Sequence, residues 1–247
     1  MKKILLVLLL FSGFSTLCAE PCVSTPAALN SAREKFALAD AALNAAWKPL
    51  KAKLSATQFA ATLKEQRLWL AYRDETAAAS AAGEPFVELE TMTQCAEFAL
   101  SRAEITVSRT AVLQALVLPP VSDWSGVYND SFGGQITIDA RSDGLHFLID
   151  VVRSTAYHTG RIVGVAKSKG QIATYRTTTE DFSSEAEDAT KPVLVSMTRD
   201  GSRLDVVTEN TENFGGMRAY FAGMYVRLRA LDTADAQGLE SALSERE

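Results

Sequence analysis

The chain has 247 residues, of which 47% are hydrophobic and 22% charged, with a formal charge of −5. That is enough apolar material for two modest cores at ordinary charge density, which excludes a wholly disordered chain. The acidic balance also excludes a nucleic-acid binder of the usual kind, because phosphates need a basic surface.

Met1, Lys2 and Lys3 precede an apolar run from Ile4 to Phe14, and Ala19 follows it. Two lysines, an apolar stretch too short to span a bilayer and a small-residue exit predict a signal peptide over residues 1–19. Lipidation at Cys18 is disfavoured, because Leu17 stands where a small residue is needed. The expected mature protein is periplasmic or secreted, with no transmembrane segment after cleavage. Without Lys2 and Lys3, 23 basic residues face 30 acidic ones, a formal charge of −7. Such a chain suits a cationic partner in the envelope. Two mature cysteines remain, Cys22 and Cys95. In an oxidising compartment two thiols point to one disulfide; the alternative is two unpaired buried thiols.

Thr25 and Pro26 start a first helix, as N-cap and first helical residue. Phe36, Leu43, Trp47, Leu50 and Leu54 recur at helical spacing, and Pro49 predicts a kink. Ser55 or Thr57 caps a second helix, with Phe59, Leu63, Gln66, Leu70 and Arg73 on one face and Gly83 at its end. Pro85 opens a third, expected from Glu84 to about Leu116. Short connections make this an antiparallel three-helix bundle over residues 20–117.

Pro119 and Pro120 end helical character, and the period changes from about 3.6 to 2. Ile136 and Ile138 alternate with Thr137 and Asp139, and Leu145, Phe147, Ile149 and Val151 alternate with His146, Leu148, Asp150 and Val152. Ser142-Asp143-Gly144 and Asp200-Gly201 are hairpin turns. Seven or eight antiparallel strands over residues 121–229 predict a barrel or a sandwich, making the whole chain α+β. Trp124-Ser125-Gly126-Val127-Tyr128 is echoed by Phe221-Ala222-Gly223-Met224-Tyr225. If those strands pair, the sheet closes and its edges vanish. Residues 230–247 read as a weakly ordered acidic tail with one possible short helix.

No Gly-rich phosphate loop, GxSxG elbow or HExxH helix occurs, so no enzyme is predicted and no cofactor is expected. Two histidines, His146 and His158, are too few for a metal site without carboxylates around them. Asp40, Asn44, Arg67 and Arg73 lie on or near the apolar faces of the first two helices. Buried charge needs a partner, so Arg67 or Arg73 is expected to bridge Asp40 and Asn44 and fix helix register; a binding surface is the alternative. Trp47, Trp69 and Tyr72 read as core aromatics. Candidate binding residues are His158, at a turn, and Glu180, Asp181, Glu185, Glu187 and Asp188, in a loop with five acids and no base.

Leu38-Ala39-Asp40, Leu43-Asn44, Trp47, Leu63-Lys64, Gln66-Arg67, Trp69, Tyr72-Arg73-Asp74, Cys95 and Arg102 together resemble the LprI-type lysozyme inhibitor family. The resemblance covers about residues 22–116. Many members carry four cysteines; here Ser31 and Ala77 stand where the second pair is expected, which implies Cys22–Cys95 as the bridge that is left. The resemblance implies a non-catalytic inhibitor whose partner is a basic lysozyme, although no inhibitory loop maps onto this chain. The acidic loop from Glu180 to Asp188 is the contact candidate, steered by charge. A second reading makes the β domain a small-ligand or cell-envelope binding module, with Tyr128, His158, Tyr175 and Tyr225 lining a barrel mouth.

Overall fold

The structure is a computed structural model and describes residues 22–153, 155, 158–177, 191–216 and 218–245. The expected signal peptide and the acidic loop lie outside the described residues.

Helix α1 (Pro26–Trp47) begins as read: Thr25 Oγ1 accepts from the Ala28 amide, and Pro26 occupies the first turn. Pro49 breaks the helix, leaving a single turn, α2 (Leu50–Lys53). Ser55 and Gln58 then form a reciprocal capping box on α3 (Ala56–Ala82). Gly83, at φ 72°, ends α3 in the left-handed region, where a β-carbon would be strained.

The third helix starts later than predicted. Residues 89–94 form a 3-10 turn, and α4 spans Ala96–Ala115. Cys95 is extended because it is tied to Cys22, and the Ala96 amide is capped by Ser24 Oγ at 2.8 Å. These long-range restraints reset the helix start, which Pro85 does not supply. The helices alternate in direction, so α1 and α4 run parallel and pack closely through Ala32, Ala96 and Ala99.

Among the described residues, eight strands close a barrel in which each strand pairs antiparallel with the next. They are β1 (Gly126–Asn129), β2 (Gly134–Arg141), β3 (Gly144–Arg153), β4 (His158–Lys169), β5 (Ile172–Arg176), β6 (Leu194–Asp200), β7 (Arg203–Glu209) and β8 (Gly223–Arg229). A barrel therefore holds, not a sandwich. β1 pairs with β8 through Val127–Arg229, Tyr128–Arg227 and Asn129–Val226, as the echoed motifs predicted.

The interior is filled by alternate, inward-facing residues of the strands, among them Ile136, Phe147, Ile149, Val195 and Tyr225. Gly164 lets the Tyr175 ring enter, since a β-carbon there would lie 2.4 Å from it. The two echoed motifs do matching work at opposite rims. Tyr128 donates to the Trp124 carbonyl and Tyr225 to the Phe221 carbonyl, both at 2.8 Å. Each rim also carries a buried arginine on an aromatic ring, Arg199 on Trp124 and Arg153 on Tyr220.

The short helix read as possible in the tail forms. α5 (Thr233–Ser244) starts at a capping box formed by Asp232 and Asp235 and buries Leu239 and Ala242. Arg229 grips Asp235, and Arg141 meets Glu240 at 2.9 Å. Helix α4 lies over the barrel's closure, with Val112 and Ala115 packed on Val226. Tyr72 of α3 meets Phe132 of the β1–β2 turn, ring centres 5.2 Å apart. Among the described residues, no helix is long and apolar enough to cross a membrane.

Candidate functional site

Cys22 and Cys95 form a disulfide with Cα atoms 5.1 Å apart. It pins the residues before α1 to the start of α4, and the Ser24 amide adds a 3.0 Å bond to the Gln94 carbonyl. Glu97 sits beside both sulfurs. A metal would need thiolates there, and these sulfurs are bonded to each other.

The polar seam between helices forms with one change of member. Asn44 Nδ2 donates to Asp40 at 3.0 Å, and Arg73 faces the same carboxylate at 3.8 Å. Arg73 also donates to Asp74 at 2.8 Å, and Arg102 of α4 reaches that oxygen at 2.9 Å. Both guanidinium groups lie over the Phe36 ring, Arg73 at 5.2 Å and Arg102 at 4.0 Å from its centre. Burial lowers the Arg102 pKa, and Asp74 opposes the shift.

Arg67 does not join. It is exposed, one position out of phase with Gln66, Trp69 and Arg73, which turn inward. The contact with Asp40 is left to Arg73, and a separate buried contact forms at Arg109 of α4, which is 1% exposed and bonds Glu65 at 2.6 Å and Gln66 at 2.9 Å. The apolar stripe of α4 hid this residue. Gln66 on the apolar face of the second helix, beside a helix that carries an arginine, was the available signal.

The barrel residues expected to line a mouth behave differently. Tyr128, Tyr175 and Tyr225 belong to the packed interior, and burial pushes the Tyr128 hydroxyl up to about 12. Burial also raises the Tyr225 hydroxyl. His158 is half-buried at the start of β4, opposite Arg153 in the strand register. The structure does not gather these four around an opening. Glu180, Asp181, Glu185, Glu187 and Asp188 lie outside the described residues.

Two adjoining concavities lie at the junction of the two regions. A cleft of about 420 Å³ lies between Leu68, Tyr72 and Glu75 of α3, the loop residue Phe86, and the barrel residues Phe132 and Tyr220. A second, of about 490 Å³, adjoins it through Glu75, Phe86 and Thr155 and extends to Glu88. Phe86 is 81% exposed, Leu68 61% and Tyr220 51%.

The barrel wall of this cleft is firmly held. Arg153, fully buried, donates to the Tyr220 and Phe132 carbonyls, each at 2.8 Å, and to Asp130 at 2.5 Å. Asp130 in turn accepts from the Phe132 and Gly134 amides, each at 2.8 Å. Burial on its own would lower the Arg153 pKa; Asp130 with Tyr225 and Tyr220 outweighs it, and the net shift is upward. The Tyr72 phenol is raised by burial, so it faces the cleft uncharged.

Charge is segregated along the helices. Residues 74–101 hold six acids and no base, whereas residues 41–64 hold four lysines and no acid. α3 spans about 40 Å, so these stretches lie at opposite ends of the helical region. The cleft is at the acidic end. This segregation was readable in the sequence once the helix ends were placed.

Residues 18–113 match the family model described as Lysozyme inhibitor LprI, a span that ends before the barrel begins. Nothing among curated proteins or solved structures matches the chain.

Proposed function

We propose that this protein is an exported, non-catalytic inhibitor that binds a basic lysozyme. The observation that carries the reading is the LprI match over residues 18–113, whose span takes in Cys22 and Cys95, joined as a bridge. A disulfide that orders the start of a helical region belongs to a protein folding in an oxidising compartment, and the Lys2–Phe14 stretch fits a signal peptide. In this reading residues 20–117 form the inhibitor domain and residues 121–229 a β domain that braces it.

The net charge supports the choice of partner. An acidic protein is drawn to a basic one, chiefly through a faster encounter. Binding would then block the partner's glycan cleft by occupying its surface, with no covalent chemistry required of this chain.

The test is the clearance of bacterial cell walls by a basic c-type lysozyme, followed as turbidity in the presence of the full mature chain. Slowing that saturates at a defined stoichiometry is expected. Full lysozyme activity at a large excess of the protein would remove the reading.

A further inference from the structure

We propose that the cleft between α3, the Glu84–Glu88 loop and the Phe132–Tyr220 rim of the barrel is the surface on which the lysozyme docks. This rests on the reading above and gives it an address on the molecule. Phe86 would enter a pocket of the partner, and Glu75, Glu84 and Glu88 would meet its basic groups.

Three observations converge on this face. Phe86 is an exposed aromatic at a loop tip, and it stands with Leu68 and Tyr220 around one concavity. Single exposed apolar residues are ordinary, but a contiguous apolar patch rimmed by charge marks an interaction site. The rim is acidic: Glu75 and Glu88 line it, exposed Glu84 precedes Pro85 in the same loop, and all three fall in the stretch from 74 to 101 that has no basic residue. Arg218 of the barrel is the cation at the far wall. Finally, the walls are pre-organised. Arg153 fixes the Tyr220 and Phe132 backbone, and Gly83 and the disulfide bracket the loop. Little ordering would be needed on binding, which favours affinity.

The same charge map says how the partner arrives. Lys48, Lys51, Lys53 and Lys64 gather towards the opposite end of the helices and repel a cationic protein there. The encounter is steered to the acidic end, where Phe86 is available as an aromatic anchor.

The experiment is a lysozyme-inhibition titration with the full mature chain. Phe86→Ala should raise the half-inhibitory concentration by about tenfold or more, since aromatic anchors dominate such interfaces. The pair Glu84→Lys with Glu88→Lys should slow association by about tenfold at low salt and flatten the salt dependence. All three side chains are exposed, so thermal midpoints should stay within a degree or two of the parent. Lys51→Glu with Lys53→Glu, at the far end, should leave inhibition intact or improve it.

If the parent inhibits and both cleft variants inhibit within about twofold of it, the address is wrong while the function survives. If the far-end pair weakens inhibition as much as the cleft variants, the address is equally wrong. If the parent itself fails to inhibit, the function and the address fall together.

Discussion

Helices α1, α3 and α4 meet largely through small side chains, including Ala32, Ala39, Ala46, Ala77, Ala78 and Ala103. The barrel buries Phe147, Tyr175, Tyr225, Ile136 and Met197 in one continuous cluster. Apolar area sets the stabilisation each core can draw from water, at about 25 cal/mol per Å². An alanine contact lets helices approach but contributes little area. The helical region adds a disulfide and buried arginines held by Asp74, Glu65 and Gln66. The barrel needs polar groups only at its rims, where tyrosine hydroxyls and Arg153 or Arg199 close it.

That contrast can be broken most severely at a rim. Arg153→Ala leaves Asp130 buried without its cation, and we expect a loss of about 3–5 kcal/mol in urea unfolding. A loss below about 1 kcal/mol would mean that the apolar interior suffices without its polar ends. Removing the bridge by Cys22→Ala with Cys95→Ala should cost about 4 kcal/mol on chain-entropy grounds, for a sequence separation of 73. The loss should appear first in helical ellipticity. If the barrel's aromatic signal fell at the same midpoint, the two regions would be unfolding as one.

A third contrast concerns pH. The folded Tyr128 hydroxyl is pushed up to about 12 by burial, above the ordinary value of 10.0. The unfolded chain therefore releases this proton first. The stability is fully present below about pH 10 and is lost as pH rises through about 12, amounting to about 3 kcal/mol. Urea midpoints measured up that range should fall, and Tyr128→Phe should flatten the fall. The smallest effect is expected at Asp40→Ala. Its side chain is 42% exposed and 3.8 Å from Arg73, so a thermal melt should register about 1 kcal/mol or less.

Much of this architecture was legible in local residue patterns. The period-2 alternation from Ile136 to Val151 gave β2 and β3, Asp143-Gly144 and Asp200-Gly201 turned the hairpins, and the paired aromatic-Gly-Tyr motifs anticipated closure. What escaped was set by distant partners. The start of α4 depends on Cys22, 73 residues away, and on Ser24, neither of which local propensity registers. Arg67 and Arg73 looked equivalent, but they differ in phase and only the latter turns inward. The barrel tyrosines read as a wet mouth because a phenol wants a partner. Each of Tyr128 and Tyr225 finds one four residues upstream, which lets the ring point inward. α5 was read only as a possible short helix in a weakly ordered tail, because acidic composition outweighed the Asp232–Asp235 cap and the spacing of Leu239 and Ala242.

The pairing of Val127 with Arg229 brings the barrel's point of entry and its point of exit side by side on one rim. The eight strands thus form a cassette whose two leads emerge together. A permuted chain, opened at Asp200-Gly201 and rejoined between Arg229 and Gly126, would need no strand to be rethreaded. The helical region could precede or follow such a cassette and still reach the same stave.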